Sequence, residues 1–392
     1  MAGFGFDDLA LLAVIGLAGP LLAAIPRLRV PVVVGEIAAG LVVGRTGLGI
    51  IDHTEPTFAL LAEVGFALVM FVAGTHVPIR NATLRAALPR AVARAVLVGA
   101  VAAGLAVGVA TLFGTGHALL YAVLMASSSA ALAMPVINDV GLGGPPVISL
   151  TAQIAVADTA SIVLVPLVID PHRAPRAALG ALAVAGGALV FYLALRIFDR
   201  RRLRRRMHKY SERRRFALEL RLSLLVLFAL AALAVSTHVS IMLAGFALGL
   251  VVSAVGEPRR LARQLFGITE GFFAPLFFVW LGASLQVREL AERPQFALLG
   301  VVLGVGAVAA HLAGTALGQP PVLAVLAAAQ TGVPIAAATL GTQQGLLGAG
   351  EPSALIVGAL ITVVVTSAAA RLAVRRYREP AVGPPTPDTA PG

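Results

Sequence analysis

The chain has no cysteine and one lysine, Lys209, and only 12% of its 392 residues are charged. Without cysteine there are no disulfides, no thiol catalysis and no thiolate metal site. Soluble domains carry about 25% charged residues, so a composition this poor in charge excludes an ordinary water-facing globule. The seven histidines show no H-x-x-x-H or H-E-x-x-H spacing, and no phosphate-cradling G-x-x-x-x-G-K-[ST] occurs. The sequence therefore offers no resident metal, no cofactor and no enzyme signature. It leaves no stretch for a separate catalytic or nucleotide-binding domain.

What is present is apolar: 58% hydrophobic residues and a mean hydropathy of +0.92. About 20 apolar residues cross a bilayer as a helix, and such runs fill nearly the whole length. The expectation is an all-α integral membrane protein. Breaks at Pro, Gly and charge clusters give thirteen spans: 8–26, 31–51, 57–77, 88–112, 116–139, 147–169, 177–198, 217–235, 239–255, 267–286, 296–317, 321–347 and 353–374. The first follows Asp7 and Asp8 with no basic residue before it, which is the wrong flank for a signal peptide. It reads as a retained span.

The net charge of +11 is carried by 29 Arg and Lys209. Basic residues near span ends stay cytoplasmic. With the N-terminus outside and the C-terminus cytoplasmic, 25 basic residues face inward. Five (Arg45, Arg173, Arg176, Arg288 and Arg293) face outward. The densest run, Arg196 to Arg221, suits anionic headgroups and gives no reason to invoke nucleic acid. Pro380 to Gly392 is polar and Pro-rich and reads as a disordered cytoplasmic tail. Residues 1–379 form the transmembrane domain.

Asp158 stands inside the apolar run Gln153 to Val165. A carboxylate at that depth costs roughly 2.5–3.5 kcal/mol on insertion scales, and such groups mark ion or proton pathways by default. Thr151 and Ser161 share its helical face, and Thr159 adjoins it.

The two halves of the chain echo each other. Ile37–Val43 resembles Phe246–Val252 at an offset of 209, and Glu63-x-Gly-Phe resembles Glu270-Gly-Phe-Phe at 207. Seven helices separate the paired positions, so the repeats (about 8–170 and 217–375, joined by a linker helix 177–198) are inverted. Inverted repeats with helices broken at the midplane are a transporter signature. Span five contains Ser127-Ser128-Ser129 and then Pro135; span twelve contains Thr331-Gly332-Val333-Pro334. Proline removes a helix hydrogen bond, and freed backbone groups in a membrane must line a cavity or be re-satisfied. Two crossed, broken helices beside Asp158 are therefore expected.

At these residues the chain resembles the monovalent cation:proton antiporter-2 family. The likeness runs from about residue 8 to 375. Pro31 with Gly35-Glu36-Ile37 and Ala39-Gly40 resembles the family's second helix, and Glu63-Val64-Gly65 with Phe71-Val72-Ala73-Gly74 its third. Ser127-Ser128-Ser129 stands at its Ser-Ser-Thr, and Ala274-Pro275-Leu276-Phe277-Phe278 at its Pro-Leu-Phe-Phe segment. The resemblance implies an elevator-type Na⁺ or K⁺/H⁺ antiporter in the bacterial inner membrane, working as a homodimer with core and dimerisation parts. By it, Asp158 binds cation and proton in turn, with Ser127, Ser128, Ser129, Thr159 and Thr331 in support. His311 is a candidate second titrating group, and Glu36 and Glu63 are candidates for a funnel or a structural role.

Three positions depart from the family pattern. Ala157 replaces a second acid or a Gln, His311 replaces a Lys, and Thr331-Gly332-Val333 replaces Arg-Gly-Glu. These losses keep a non-transporting, sensor-type descendant as an alternative. A same-fold sodium-coupled symporter is the other, although it would want more polar midplane contacts.

Overall fold

A computed structural model describes residues 4–25, 32–75, 82–139, 141–172, 174–200, 217–237, 239–256, 259–285 and 287–377. The centre of the Arg196–Arg221 run, Pro31 and the tail from 380 lie outside the described residues. Within them the chain is helical, with no strand.

Apolar runs this long leave the backbone one way to satisfy itself in lipid, which is to bond within its own segment. The helices are α1 Phe6–Gly16, α2 Ala18–Ala23, α3 Val32–Val43, α4 Pro56–Thr75, α5 Ala82–Phe113, α6 Ala118–Ala126, α7 Ala130–Asp139, α8 Pro145–Val168 and α9 Ala174–Arg200. There follow α10 Leu218–Ser236, α11 Ile241–Val255, α12 Arg259–Ile268, α13 Ala274–Ser284, α14 Val287–Glu292, α15 Pro294–Leu312, α16 Pro321–Ala327, α17 Gly332–Gln343 and α18 Glu351–Tyr377. A π turn, Thr269–Phe273, joins α12 to α13, and a 3₁₀ turn, Ala313–Leu317, extends α15.

Each of the thirteen expected spans contains a helix, and ten stretches are long and apolar enough to cross a membrane. Four boundaries need correction; the fourth span starts at Ala82 rather than 88, because its helix runs on through Pro89 into the polar stretch before it. The second span ends at Val43 rather than 51, because residues 44–51 fold back: Leu48 N–H donates to Val42 O and Ile50 N–H to Val43 O. The tenth begins at Arg259, eight residues early, because Arg259–Ile268 continues the helix into polar sequence. The twelfth ends at Gln343, where Gly345 turns the chain with φ +64.

Contacts run chiefly within two groups. One packs α4 on α11 and α3 on α13, with α1, α2, α9 and α10 around them. The other packs α5 on α6 and α8, and α15 on α18, with α7, α16 and α17. The first group is closed by four glycines whose missing side chains admit a facing backbone. A β-carbon on Gly40 would overlap the Val279 carbonyl, and one on Gly282 that of Ile37; one on Gly249 would overlap Phe71 O, and one on Gly74 Phe246 O. Ile37 and Gly40 become Phe246 and Gly249 at an offset of 209, while Phe71 and Gly74 become Val279 and Gly282 at 208. The α3–α13 contact is thus the repeat image of the α11–α4 contact, a two-fold relation between inverted halves.

The breaks fall at Ser127–Ser129, between α6 and α7, and at Ala328–Thr331, between α16 and α17. Both precede the prolines. Helix α7 runs through residue 135, and Pro334 sits in the first turn of α17, where a missing amide proton costs least.

Candidate functional site

The two breaks meet. Ser127 leaves α6 in an extended conformation (φ −70, ψ 152). Its carbonyl accepts from Gln330 Nε2 at 3.2 Å, across the second break. Ser128 Oγ donates to Ala327 O at 2.6 Å and thereby occupies a carbonyl at the end of α16. Ser129 Oγ and Thr331 Oγ1 lie 2.9 Å apart. Gln330 N–H reaches Thr362 Oγ1 of α18 at 3.2 Å. The frayed ends of four half-helices are in this way tied by side chains, as a buried backbone requires.

Asp158 closes the arrangement from α8. It is 6% exposed, and its Oδ2 accepts from Ala130 N–H, the first residue of α7, at 2.9 Å. A helix N-terminus carries a partial positive charge, so the carboxylate sits where broken-helix geometry favours an anion. The hydroxyls of Ser128, Ser129 and Thr331 stand at the same junction. Carboxylate, hydroxyl and carbonyl oxygens are the ligands a hard cation takes.

His311, on α15, belongs to this junction too. It is 1% exposed, its Nδ1 faces Ala307 O at 2.9 Å, and its Nε2 faces Ser128 Oγ at 3.4 Å. The Nδ1 contact is to an acceptor, so that nitrogen carries a proton. Ser128 spends its own proton on Ala327 O, so at 3.4 Å Nε2 faces Oγ as one acceptor beside another, with no hydrogen bond needed between them.

The remaining candidates serve elsewhere. Ser127 Oγ returns to Leu124 O, Thr159 Oγ1 to Ala155 O and Ser161 Oγ to Ala157 O, each within its own helix. These hydroxyls keep spare lone pairs but do not bridge the breaks. Glu36 is buried at 3% in α3, with its stem against Gly19. Glu63 is half-buried on α4.

Two residues escaped the sequence reading. Gln330 adjoins the break motif, and a lone amide in an apolar run was the available signal. Glu351 opens α18 and accepts from Tyr121 OH at 2.8 Å and Gly348 N–H at 2.6 Å. Nothing in its local sequence pointed to Tyr121, 230 residues away.

Two clefts open between the helix groups. One, about 160 Å³, lies among Val69, Ala73, Leu132, Glu270, Thr331 and Gly332. The other, about 370 Å³, is lined by His53, Trp280, Ser284, Thr342, Gly348 and Ser353. They sit at opposite ends of α4, α13 and α17. Of these two, the first reaches a break, at Thr331 and Gly332.

Comparison with known proteins agrees with this geometry. The chain is 22% identical over 402 residues to the putative Na⁺/H⁺ antiporter YjbQ of Bacillus subtilis, covering 97% of this chain and 65% of that one. It thus spans just under two-thirds of that relative. It is 23% identical over 357 residues to a probable Na⁺/H⁺ antiporter 3 of Methanocaldococcus jannaschii, covering 87% and 89%. It is 22% identical over 347 residues to the Na⁺/H⁺-K⁺ antiporter GerN of Bacillus cereus, again covering 87% and 89%. In three dimensions it matches the sodium proton antiporter MjNhaP1 of M. jannaschii with a TM-score of 0.65, at 16% identity, over 95% of this chain and 98% of that one. The profile of the transmembrane sodium/hydrogen exchanger family matches residues 10–375, and the chain belongs to that family.

Proposed function

We propose that the chain exchanges a monovalent cation, Na⁺ or K⁺, for H⁺ by alternating access centred on Asp158. The observation that carries this reading is the bond from Ala130 N–H to Asp158 Oδ2 at the crossing of the two broken helices. A single carboxylate there has two states. Protonated, it is neutral and suits a dry site; deprotonated, it offers a charged ligand beside the Ser128, Ser129 and Thr331 hydroxyls. Proton and cation compete for it, and that competition couples their movements. The names of the relatives above support Na⁺ and H⁺ as substrates, and GerN supports K⁺ as a further one.

The two clefts at opposite ends of the same helices support an elevator-type cycle. The group holding the breaks would slide against the α3–α4–α11–α13 group, closing the cleft at Thr331 and deepening the other. The basic loops support an N-terminus outside, so the cleft reaching Thr331 faces the cytoplasm. The resemblance supports a homodimer in the bacterial inner membrane, built through the α3–α4–α11–α13 group.

Dequenching of a pH dye in everted vesicles tests the reading. Wild-type vesicles should release protons on addition of Na⁺ or K⁺. Asp158→Asn should lose that response at normal expression, because the amide keeps an acceptor for Ala130 N–H but can neither titrate nor carry charge. An Asp158→Asn protein with wild-type exchange would remove Asp158 from the cycle.

A further inference from the structure

The two clefts share walls. Helices α13 and α17 each lend their first half to the smaller cleft and their second half to the larger. On α17, Thr331 and Ile335 line the smaller cleft, and Ala338 and Thr342 line the larger. On α13, Phe277 and Phe278 line the smaller, and Leu281 and Ser284 the larger. The changeover from Ile335 to Ala338, or from Phe278 to Leu281, takes about 4.5 Å of helix rise. What divides the clefts is thus one turn thick.

Side chains make the divider. Helix α17 packs chiefly on α18 and α8, so the space between it and α13 is closed by side chains. On the α17 face that carries Thr331 and Thr342, helical spacing places Gly332, Ile335, Ala338 and Thr339. Ile335 is the one large apolar group of that face. It stands midway between the hydroxyls of Thr331 and Thr339, which are about 12 Å apart along the helix. It is buried, as are Phe278 and Leu281 of the facing wall. An apolar constriction between two wet spaces excludes water by dewetting. A proton needs a chain of waters or polar groups to pass, and that chain is cut here.

We propose that Ile335 is the seal between the two clefts in the state open at Thr331: its side chain keeps water and protons from crossing beside the binding site. The proposal deepens the antiport reading and rests on it for what the seal protects. An exchanger couples two ions only if neither can cross alone. Asp158 selects which ion is bound, and Ile335 closes the path around it. Loss of the seal should therefore appear as a proton leak that needs no cation, and not as a change in cation affinity.

The purified full chain in liposomes tests it. A pH gradient is imposed with choline nitrate as the only salt, so neither Na⁺ nor K⁺ is present and nitrate balances the charge. Wild type should hold the gradient nearly as long as protein-free liposomes. Ile335→Ser, which puts a hydroxyl in the gap, should collapse it about five-fold faster than wild type. Ile335→Ala should leak less, because a small apolar void stays dry, and Ile335→Leu should hold. In Na⁺-driven exchange Ile335→Ser should keep the wild-type apparent KM, since the cation's ligands are untouched. Gel filtration and thermal unfolding in detergent report whether each variant is folded. If Ile335→Ser fails there, Leu281→Ser breaches the facing wall and should leak in its place. A folded serine variant that holds the gradient like wild type, or Ile335→Leu leaking as fast as Ile335→Ser, overturns the proposal. A wild type that holds the gradient but exchanges no cation removes the antiport reading alone, because the leak of the serine variant still decides the seal.

Discussion

His117 and Glu351, 234 residues apart in sequence, hold each other at 3.0 Å between Nδ1 and Oε1. The contact joins the start of α6 to the start of α18, and the same carboxylate grips the 348 turn through Gly348 N–H. It therefore fixes the loop bordering the larger cleft, on the face away from Glu270.

That pairing sets a pH dependence. The hydrogen bond to Glu351 raises the pKa of His117 above its ordinary value, against an opposing effect of burial. A raised folded-state pKa stabilises fully below the ordinary value of about 6.5 and is lost as pH climbs through the raised one. Thermal unfolding in detergent should show the wild type losing about 0.5–1 kcal/mol of stability across that interval above pH 6.5. His117→Gln should be less stable at pH 6 and should lack this step. A wild-type unfolding curve parallel to the mutant's across pH 6–9 would show that the pair carries no titrating stability.

Gly40, Gly74, Gly249 and Gly282 predict a packing effect with no effect on chemistry. Each faces a carbonyl of the opposing helix, so Gly282→Val forces α3 and α13 apart. Overpacking of this kind costs about 1–3 kcal/mol, and more where backbone must move. The repeat relation sharpens the test, because Gly74→Val should cost a similar amount at the α4–α11 contact. A neutral result at either position would mean that these helices do not meet backbone to backbone.

The hydroxyls at the breaks divide into two kinds. Ser128 satisfies Ala327 O, so Ser128→Ala leaves a buried acceptor and should lower stability by about 1–3 kcal/mol. Ser129 and Thr331 bond each other and keep lone pairs to offer. Ser129→Ala and Thr331→Ala should raise the apparent cation KM about ten-fold while the unfolding temperature stays near wild type. If KM stays put and stability falls instead, the pair is a strut and the cation finds its oxygens elsewhere.

The sequence carried the site better than its neighbours. Asp158 and the two serine- and threonine-bearing breaks were legible because each is locally anomalous: a carboxylate, a hydroxyl run or a Gly-Pro pair inside apolar helix. The repeat was legible because both halves keep the glycines that let helices touch. What was missed depends on distant contacts. Glu351 reads as an ordinary first-turn acid until Tyr121 and His117 arrive from the other half. Ala130 acts through its backbone N–H, which no side-chain pattern reports. Glu270 was noticed only as the repeat partner of Glu63, because the π turn that aims it at the cleft has no plain sequence signal. Pro135 was credited with a break that three serines make ahead of it. Thr159 was grouped with the cation ligands by adjacency, although its hydroxyl returns to Ala155 O.

The electrical balance of the cycle follows from the groups at the crossing. Asp158 is followed by Thr159 and preceded by Ala157, so its own helix supplies no second acid there. If Asp158 carries the exchange proposed above, one carboxylate trades one proton for one monovalent cation, and the cycle is electroneutral. His311 is the group that could change this, since its Nε2 stands 3.4 Å from Ser128 Oγ. A proton gained and lost there each cycle would add a charge to the transfer. Clamping the membrane potential with valinomycin and K⁺ should leave the Na⁺/H⁺ exchange rate of the wild type unchanged. His311→Gln should be equally insensitive to voltage, at a rate within a few-fold of wild type. A wild-type rate that scales with imposed voltage, and loses that scaling in His311→Gln, would place a second proton on His311 and overturn the one-carboxylate cycle.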